Sequence, residues 1–334
     1  MFTSKFFVRI IINLAVGLFL ILIWLKFVSI NEILDKLLRI NPVSLLPLFF
    51  FLFLSSFLRA FRLKVFLSEI KKIKLLDLVF LTGVSQMLNF FIPIRAGELA
   101  KGVYLNLRYG IQTGKAIIWV FIDRLLDFLV VLLSAGLLLV IVPTSLSITA
   151  IKFIIIILTI ALLLTYLAVF QLNFSKKLVR FLTPLFIEKH LKIYFVRFTS
   201  FILDSFSVLD RNPKDLLVMV LLTIFAYGSD AFIWYFGFVS LGAVQDYLKM
   251  YLGQLLSALT YLIPAAPGYV GSAEASGTLI LAGVFGIDAN LASAMIVLFH
   301  IASALFVIAF GLISTFSLKL DLGLKFRKAL RKGD

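Results

Sequence analysis

The sequence predicts an all-α, polytopic integral membrane protein with six full spans and two broken helical hairpins in an inverted repeat. Three observations carry that expectation. First, 62% of the 334 residues are hydrophobic and only 15% are charged. Soluble domains lie near about 45–50% apolar and about 25% charged, and burial grows too slowly with length for a soluble core to hide the excess. Second, apolar runs near the length of about 20 residues needed to cross a bilayer recur along the chain. Third, two further apolar runs are interrupted by Pro and Gly and resume as short arms that carry charges. This composition excludes a soluble enzyme, a disordered chain and a secreted disulfide scaffold.

Taken in order, residues 10–29 form the first span, preceded by Lys5 and Arg9. They lack a small-residue cleavage site and run into Lys26, so they read as an uncleaved span rather than a signal peptide. Residues 43–67 are the second span. Residues 116–142 and 148–172 are a pair joined by a turn at 143–147, and 214–241 and 289–317 complete the six. Residues 75–109 break at Pro93-Ile94-Arg95-Ala96-Gly97-Glu98, and residues 246–286 break at Pro264-Ala265-Ala266-Pro267-Gly268-Tyr269-Val270-Gly271. Pro and Gly interrupt helices. At membrane depth such breaks persist only where protein or water satisfies the freed backbone, so both stretches read as re-entrant or barely spanning hairpins. Residues 173–213 are apolar but studded with Lys and Arg, which suits an amphipathic segment on the cytoplasmic face.

Basic residues set the orientation. Residues 59–77 carry Arg59, Arg62, Lys64, Lys71, Lys72 and Lys74, and both 173–214 and the tail 319–334 are rich in Lys and Arg. Loops 30–42 and 143–147 are not. The bias predicts both termini in the cytoplasm, with 30–42, 143–147 and 242–247 outside. The net charge of +15 then reflects inner loops and contact with anionic inner-leaflet lipids, not nucleic acid. The chain reads as one transmembrane domain, 1–334, built from two copies at about 43–142 and about 214–317. An offset of 176 aligns Glu98 with Glu274, Gly110-Ile111 with Gly286-Ile287 and Arg124 with His300. The odd number of crossings between the copies makes them inverted. Paired broken helices in such repeats mark transporters, with the site at the repeat interface.

Intramembrane charges are expensive and mark function by default. Arg95, Glu98 and Lys101 share one helix face. On the next span Asp123 and Asp127 are one turn apart and Arg124 is three before Asp127, and the three serve either as a register-fixing ion network or as part of a substrate site. Glu274 opens the return arm of the second hairpin and either caps it or takes part in binding. His300 is an interior group or a proton relay. Asp230, with Tyr227 and Ser229, reads as structural. Arg95 lies at a helix restart, where free N–H groups and the dipole favour an anion, and its planar fork suits phosphate. With no Cys and two His, no metal site is expected, and no cofactor. There is no P-loop and no Gly-x-Ser-Gly segment, so neither ATP use nor enzymatic catalysis is expected.

Pro93-Ile-Arg-Ala-Gly-Glu-Leu-Ala-Lys101, Asp123-Arg-Leu-Leu-Asp127 and Pro264-Ala-Ala-Pro-Gly-Tyr-Val-Gly-Ser-Ala-Glu274, in this order, resemble the motifs of the lysylphosphatidylglycerol synthase transmembrane region, or flippase-like domain family. Tyr269 stands where the family's third motif usually has a second Gly, and Ala273 where a basic residue often precedes the Glu. The resemblance spans nearly the whole chain and implies movement of a lipid with an anionic headgroup between leaflets, in the plasma membrane of a prokaryote. It implies a stand-alone member without the aminoacyl transferase domain, acting on a phospholipid or a polyprenyl-phosphate-linked lipid. The alternative is an accessory subunit that presents lipid to a partner enzyme. A second copy of the chain remains open as a partner.

Overall fold

The computed structural model describes residues 15–68, 70–92, 96–111, 113–170, 213–260 and 266–319, with isolated positions at 177 and 181. All regular structure among them is helical. The helices are α1 (Ala15–Trp24), α2 (Ile30–Leu38), α3 (Leu46–Leu67), α4 (Leu75–Phe91), α5 (Ala96–Tyr109), α6 (Thr113–Ile141), α7 (Ile148–Phe170), α8 (Pro213–Ser240), α9 (Tyr247–Thr260), α10 (Ser272–Thr278), continued by a π-turn at Leu279–Val284, and α11 (Ala289–Ser317). Four helices are long and apolar enough to cross a membrane: Pro42–Leu67, Ile122–Ile141, Lys214–Ser240 and Ala289–Ser317. The other two expected spans are helical over α1 and α7. The amphipathic segment expected at 173–213 lies outside the described residues apart from Lys177, Phe181 and Pro213.

Local chemistry explains the ends. Asn41 accepts a hydrogen bond from the Val43 amide (3.0 Å) and starts the 3₁₀ turn that leads into α3. Asp288 accepts from the Leu291 amide (2.9 Å) and caps α11. α5 ends at Gly110 (φ 69°), and the π-turn after α10 leads to Gly286 (φ 68°). A glycine just past a helix adopts this left-handed conformation without a Cβ penalty. The two ends are bonded alike. Gly110 N reaches Asn106 O and Ile111 N reaches Leu105 O, while Gly286 N reaches Ala282 O and Ile287 N reaches Leu281 O. Every one of these positions differs by 176. The same offset relates α6 to α11, both 29 residues long, and α5 to the stretch that starts at Ser272.

Neighbour relations repeat as well. α3 packs on α8, α4 on α11, and α9 on α6, so the first arm of each broken hairpin lies against the long helix that follows the other hairpin. The first hairpin closes at its mouth, where Tyr109 Oη donates to Asp77 (2.6 Å). Arg108 and Lys319 line a cavity beside that contact. At the end of the second hairpin's return arm, Ser145 N donates to Val284 O (2.7 Å). Nearby, Asn290 donates to Glu32 (2.7 Å) and accepts from the Ser29 amide (2.8 Å). The second break, at Pro267–Tyr269, packs against α4, where Phe90 would meet a Cβ on Gly268 at 3.3 Å. The expected outer segments 30–42 and 143–147 therefore both sit by the 284–290 segment.

The arms of the first hairpin touch at Gly97, where an added Cβ would stand 1.9 Å from Ser85 O. Gly97→Ala pushes backbone against backbone, and overpacking of this kind costs about 1–3 kcal/mol. We expect a clear drop in thermal unfolding temperature in detergent. An unchanged midpoint would show that the arms separate freely.

One expectation needs correction. Arg59 and Arg62 are not loop residues at a basic surface. Both lie within α3, with side chains 24% and 1% exposed, because carboxylates on other helices neutralise them. The basic bias at this end rests on Lys64, Lys71, Lys72 and Lys74.

Candidate functional site

α3 carries Ser55, Arg59 and Arg62 in its otherwise largely apolar run, spaced so that successive turns present them to one side. Arg62 reaches Asp123 and, at 2.7 Å, Asp127, both on α6, and donates to Thr223 of α8 (2.6 Å). Arg124 bonds the same two carboxylates, Asp123 at 2.6 Å and Asp127 at 3.2 Å, and comes within 3.9 Å of Glu98. Lys101 pairs with Glu98 at 3.3 Å. Arg59 pairs with Asp230 at 2.7 Å and lies over the Tyr227 ring. The cluster thus sets Arg59, Arg62, Lys101 and Arg124 against Glu98, Asp123, Asp127 and Asp230, so its formal charges cancel. That balance is what makes such burial tolerable, since an unpaired charge costs several kcal/mol.

The two arginines that share Asp123 and Asp127 differ in access. Arg62 is 1% exposed, whereas Arg124 is 40% exposed. Arg62 can therefore hold both aspartates in place while the Arg124 guanidinium turns toward a ligand. At the head of α5, Asn89 accepts from the Gly97 amide (2.8 Å), which fixes the helix start beside Glu98.

The second hairpin supplies the facing wall. Glu274 caps α10 by accepting from the Gly271 amide (2.7 Å). Its other oxygen meets His300 Nδ1, and His300 Nε2 lies 2.7 Å from Gly268 O. A carbonyl only accepts, so Nε2 carries a hydrogen. Nδ1 and the carboxylate then share one further proton, as imidazolium with carboxylate or as imidazole with carboxylic acid. Glu98 and Arg124 stand 26 positions apart, as do Glu274 and His300, so each hairpin's glutamate faces the same place on the helix after it.

A cavity of about 320 Å³ lies between these walls, bounded by Arg59, Asn89, Glu98, Lys101, Asp123, Arg124, Gly268, Tyr269 and His300. A second one, of about 230 Å³, adjoins it through Arg59 and Arg124 and takes in Asp127, Tyr227 and Asp230. Of the residues singled out in the sequence, Glu98, Lys101, Asp123, Arg124 and His300 line the first cavity. Asp127 lines the second, and Glu274 reaches the first through His300. Arg95 lies outside the described residues. Arg59 and Arg62 escaped sequence reasoning; their spacing with Ser55 along an apolar helix was the available signal. Asp230, read as structural, is Arg59's counter-ion. No group of His and acids suited to a metal occurs among the described residues.

These features define a multi-pass helical membrane protein with a charge-balanced cavity where an interrupted helix meets a facing hairpin. The chain belongs to the family described as Lysylphosphatidylglycerol synthase TM region, which it matches over residues 10–311, and that description ties it to membrane lipids. No curated protein and no solved structure matches it.

Proposed function

We propose that the chain moves a phosphate-containing lipid between membrane leaflets, without covalent chemistry. The observation that carries this reading is the cavity that sets the accessible Arg124 beside the second break. A headgroup phosphate there takes charge-assisted bonds from Arg124 and Lys101, while Arg62 keeps the aspartates neutralised. Arg95, close to the start of α5 in sequence, is a further phosphate ligand by its position in the chain. The repeated offset and reciprocal packing support an inverted repeat with its site at the midplane. The lysine bias supports cytoplasmic termini, and the membrane we assign is the plasma membrane of a prokaryote.

The test is translocation of a fluorescent phosphatidylglycerol in proteoliposomes, read by chemical quenching of the outer leaflet. Protein-dependent loss of the protected fraction supports transport. Lipid binding with no translocation would favour the accessory-subunit reading instead.

In this reading the Glu274–His300 pair holds the proton that the cycle exchanges. Glu274→Gln keeps the shape, the bond to Gly271 and a donor for His300 Nδ1, but removes the acid. We expect normal stability and a translocation rate that no longer responds to pH, because the Gln amide donates to Nδ1 while Nε2–H stays on Gly268 O, which holds His300 neutral. A pH profile like that of the unmodified protein would remove the pair from the cycle.

A further inference from the structure

The charged cavity has a larger, apolar neighbour. A groove of about 710 Å³ runs between α1 and the second hairpin, walled by Leu20 and Trp24 on one side and by Ala275, Leu279 and Gly283 on the other. Its walls are almost wholly apolar. Tyr269 lines both this groove and the charged cavity, so the two meet at one residue. Tyr269 is held in the left-handed region (φ 59°), next to Gly268, whose carbonyl is bonded to His300.

α1 is fixed in place as the outer wall. Trp24 Nε1 lies 3.1 Å from both Thr278 and Ser293. At Gly271 an added Cβ would stand 2.1 Å from Gly17 O, so the two backbones touch. A helix is about 10–12 Å across with its side chains, and no helix enters between walls that close. A single hydrocarbon chain does. The π-turn at Leu279–Val284 forms part of the wall, and such turns concentrate at functional sites.

We propose that this groove seats one acyl chain of the phospholipid whose phosphate lies in the charged cavity, so that the substrate is recognised through its chain as well as its headgroup. The assignment rests on the lipid reading above. It places the glycerol region at Tyr269 and makes α1 a part of the binding site.

The experiment uses the full chain in phosphatidylcholine vesicles that contain a small fraction of phosphatidylglycerol brominated on its acyl chains. Bromine quenches nearby tryptophan, and comparison with Trp24→Phe isolates the Trp24 signal. Brominated phosphatidylglycerol should quench Trp24 more than brominated phosphatidylcholine does at the same mole fraction. Gly283→Phe fills the groove, because a Cβ there meets only Leu279 Cδ1 at 3.6 Å. It should abolish the excess quenching and slow phosphatidylglycerol translocation about tenfold or more, the scale of losing buried apolar contact. Equal quenching by the two lipids assigns the groove to bulk lipid and overturns the proposal. So does normal translocation by Gly283→Phe, and in that case the transporter reading stands. Excess quenching without translocation supports the groove while the transporter reading falls. The quenching comparison on the unmodified protein decides the matter even if Gly283→Phe does not fold.

Discussion

Arg62→Met is expected to be the most destabilising single change in the charged cluster. The methionine fills the same channel between α3, α6 and α8, but it leaves Asp123 and Asp127 to share Arg124 alone. Arg62 is 1% exposed, and removing one partner of a buried ionic group costs about 3–5 kcal/mol because a charge stays behind unpaired. Unfolding followed by intrinsic fluorescence of the three tryptophans should show a large fall in the midpoint in detergent. Adding Asp127→Asn restores the charge balance and should recover a large part of the loss. If Arg62→Met unfolds at the unmodified protein's midpoint, Arg62 is not the counter-ion that frees Arg124.

Arg124→Gln is expected to have the largest effect on function. Arg62 still neutralises one aspartate charge, and Arg124 is the exposed member of the pair, at 40%; the fold should therefore survive with a modest loss of stability. Each charge-assisted bond to a phosphate is worth roughly 1.5–3 kcal/mol. Losing one of them should weaken lipid binding or translocation by about tenfold to somewhat over a hundredfold. Arg124→Lys should recover only part, because an ammonium keeps the charge but not the planar fork. Arg95→Ala in the same assay ranks the two arginines. A well-folded Arg124→Gln protein that translocates phosphatidylglycerol at the unmodified rate would exclude Arg124 from the site.

Much of the architecture is legible in the sequence because it follows from local chemistry. A hydropathy this high admits only lipid as solvent. Pro267, Gly268 and Gly271 interrupt a helix wherever they fall, and Gly110 and Gly286 end one. The offset of 176 between Glu98 and Glu274 is a property of the string, and the structure gives those two positions equivalent partners, Arg124 and His300. Candidate site residues on helix-breaking motifs are therefore legible in the sequence.

The partners of those residues were not. By the loop-charge rule Arg59 and Arg62 read like Lys64, as basic residues leaving the membrane on the cytoplasmic side. Only the packing of α3 on α8, with the α6 aspartates within reach of it, turns them inward, toward Asp123 and Asp127 from 61 and 65 residues away and Asp230 from 171 residues away. The groove under α1 is of the same kind, since Trp24 meets Thr278 and Ser293 across more than 250 positions. Periodicity and propensity act over a few turns of helix, so the sequence by itself determines the membrane class, the breaks and the repeated glutamates. Which buried charge neutralises which, and therefore which arginine is left open to a ligand, depends on contacts between helices remote in the chain, and only the tertiary structure decides that.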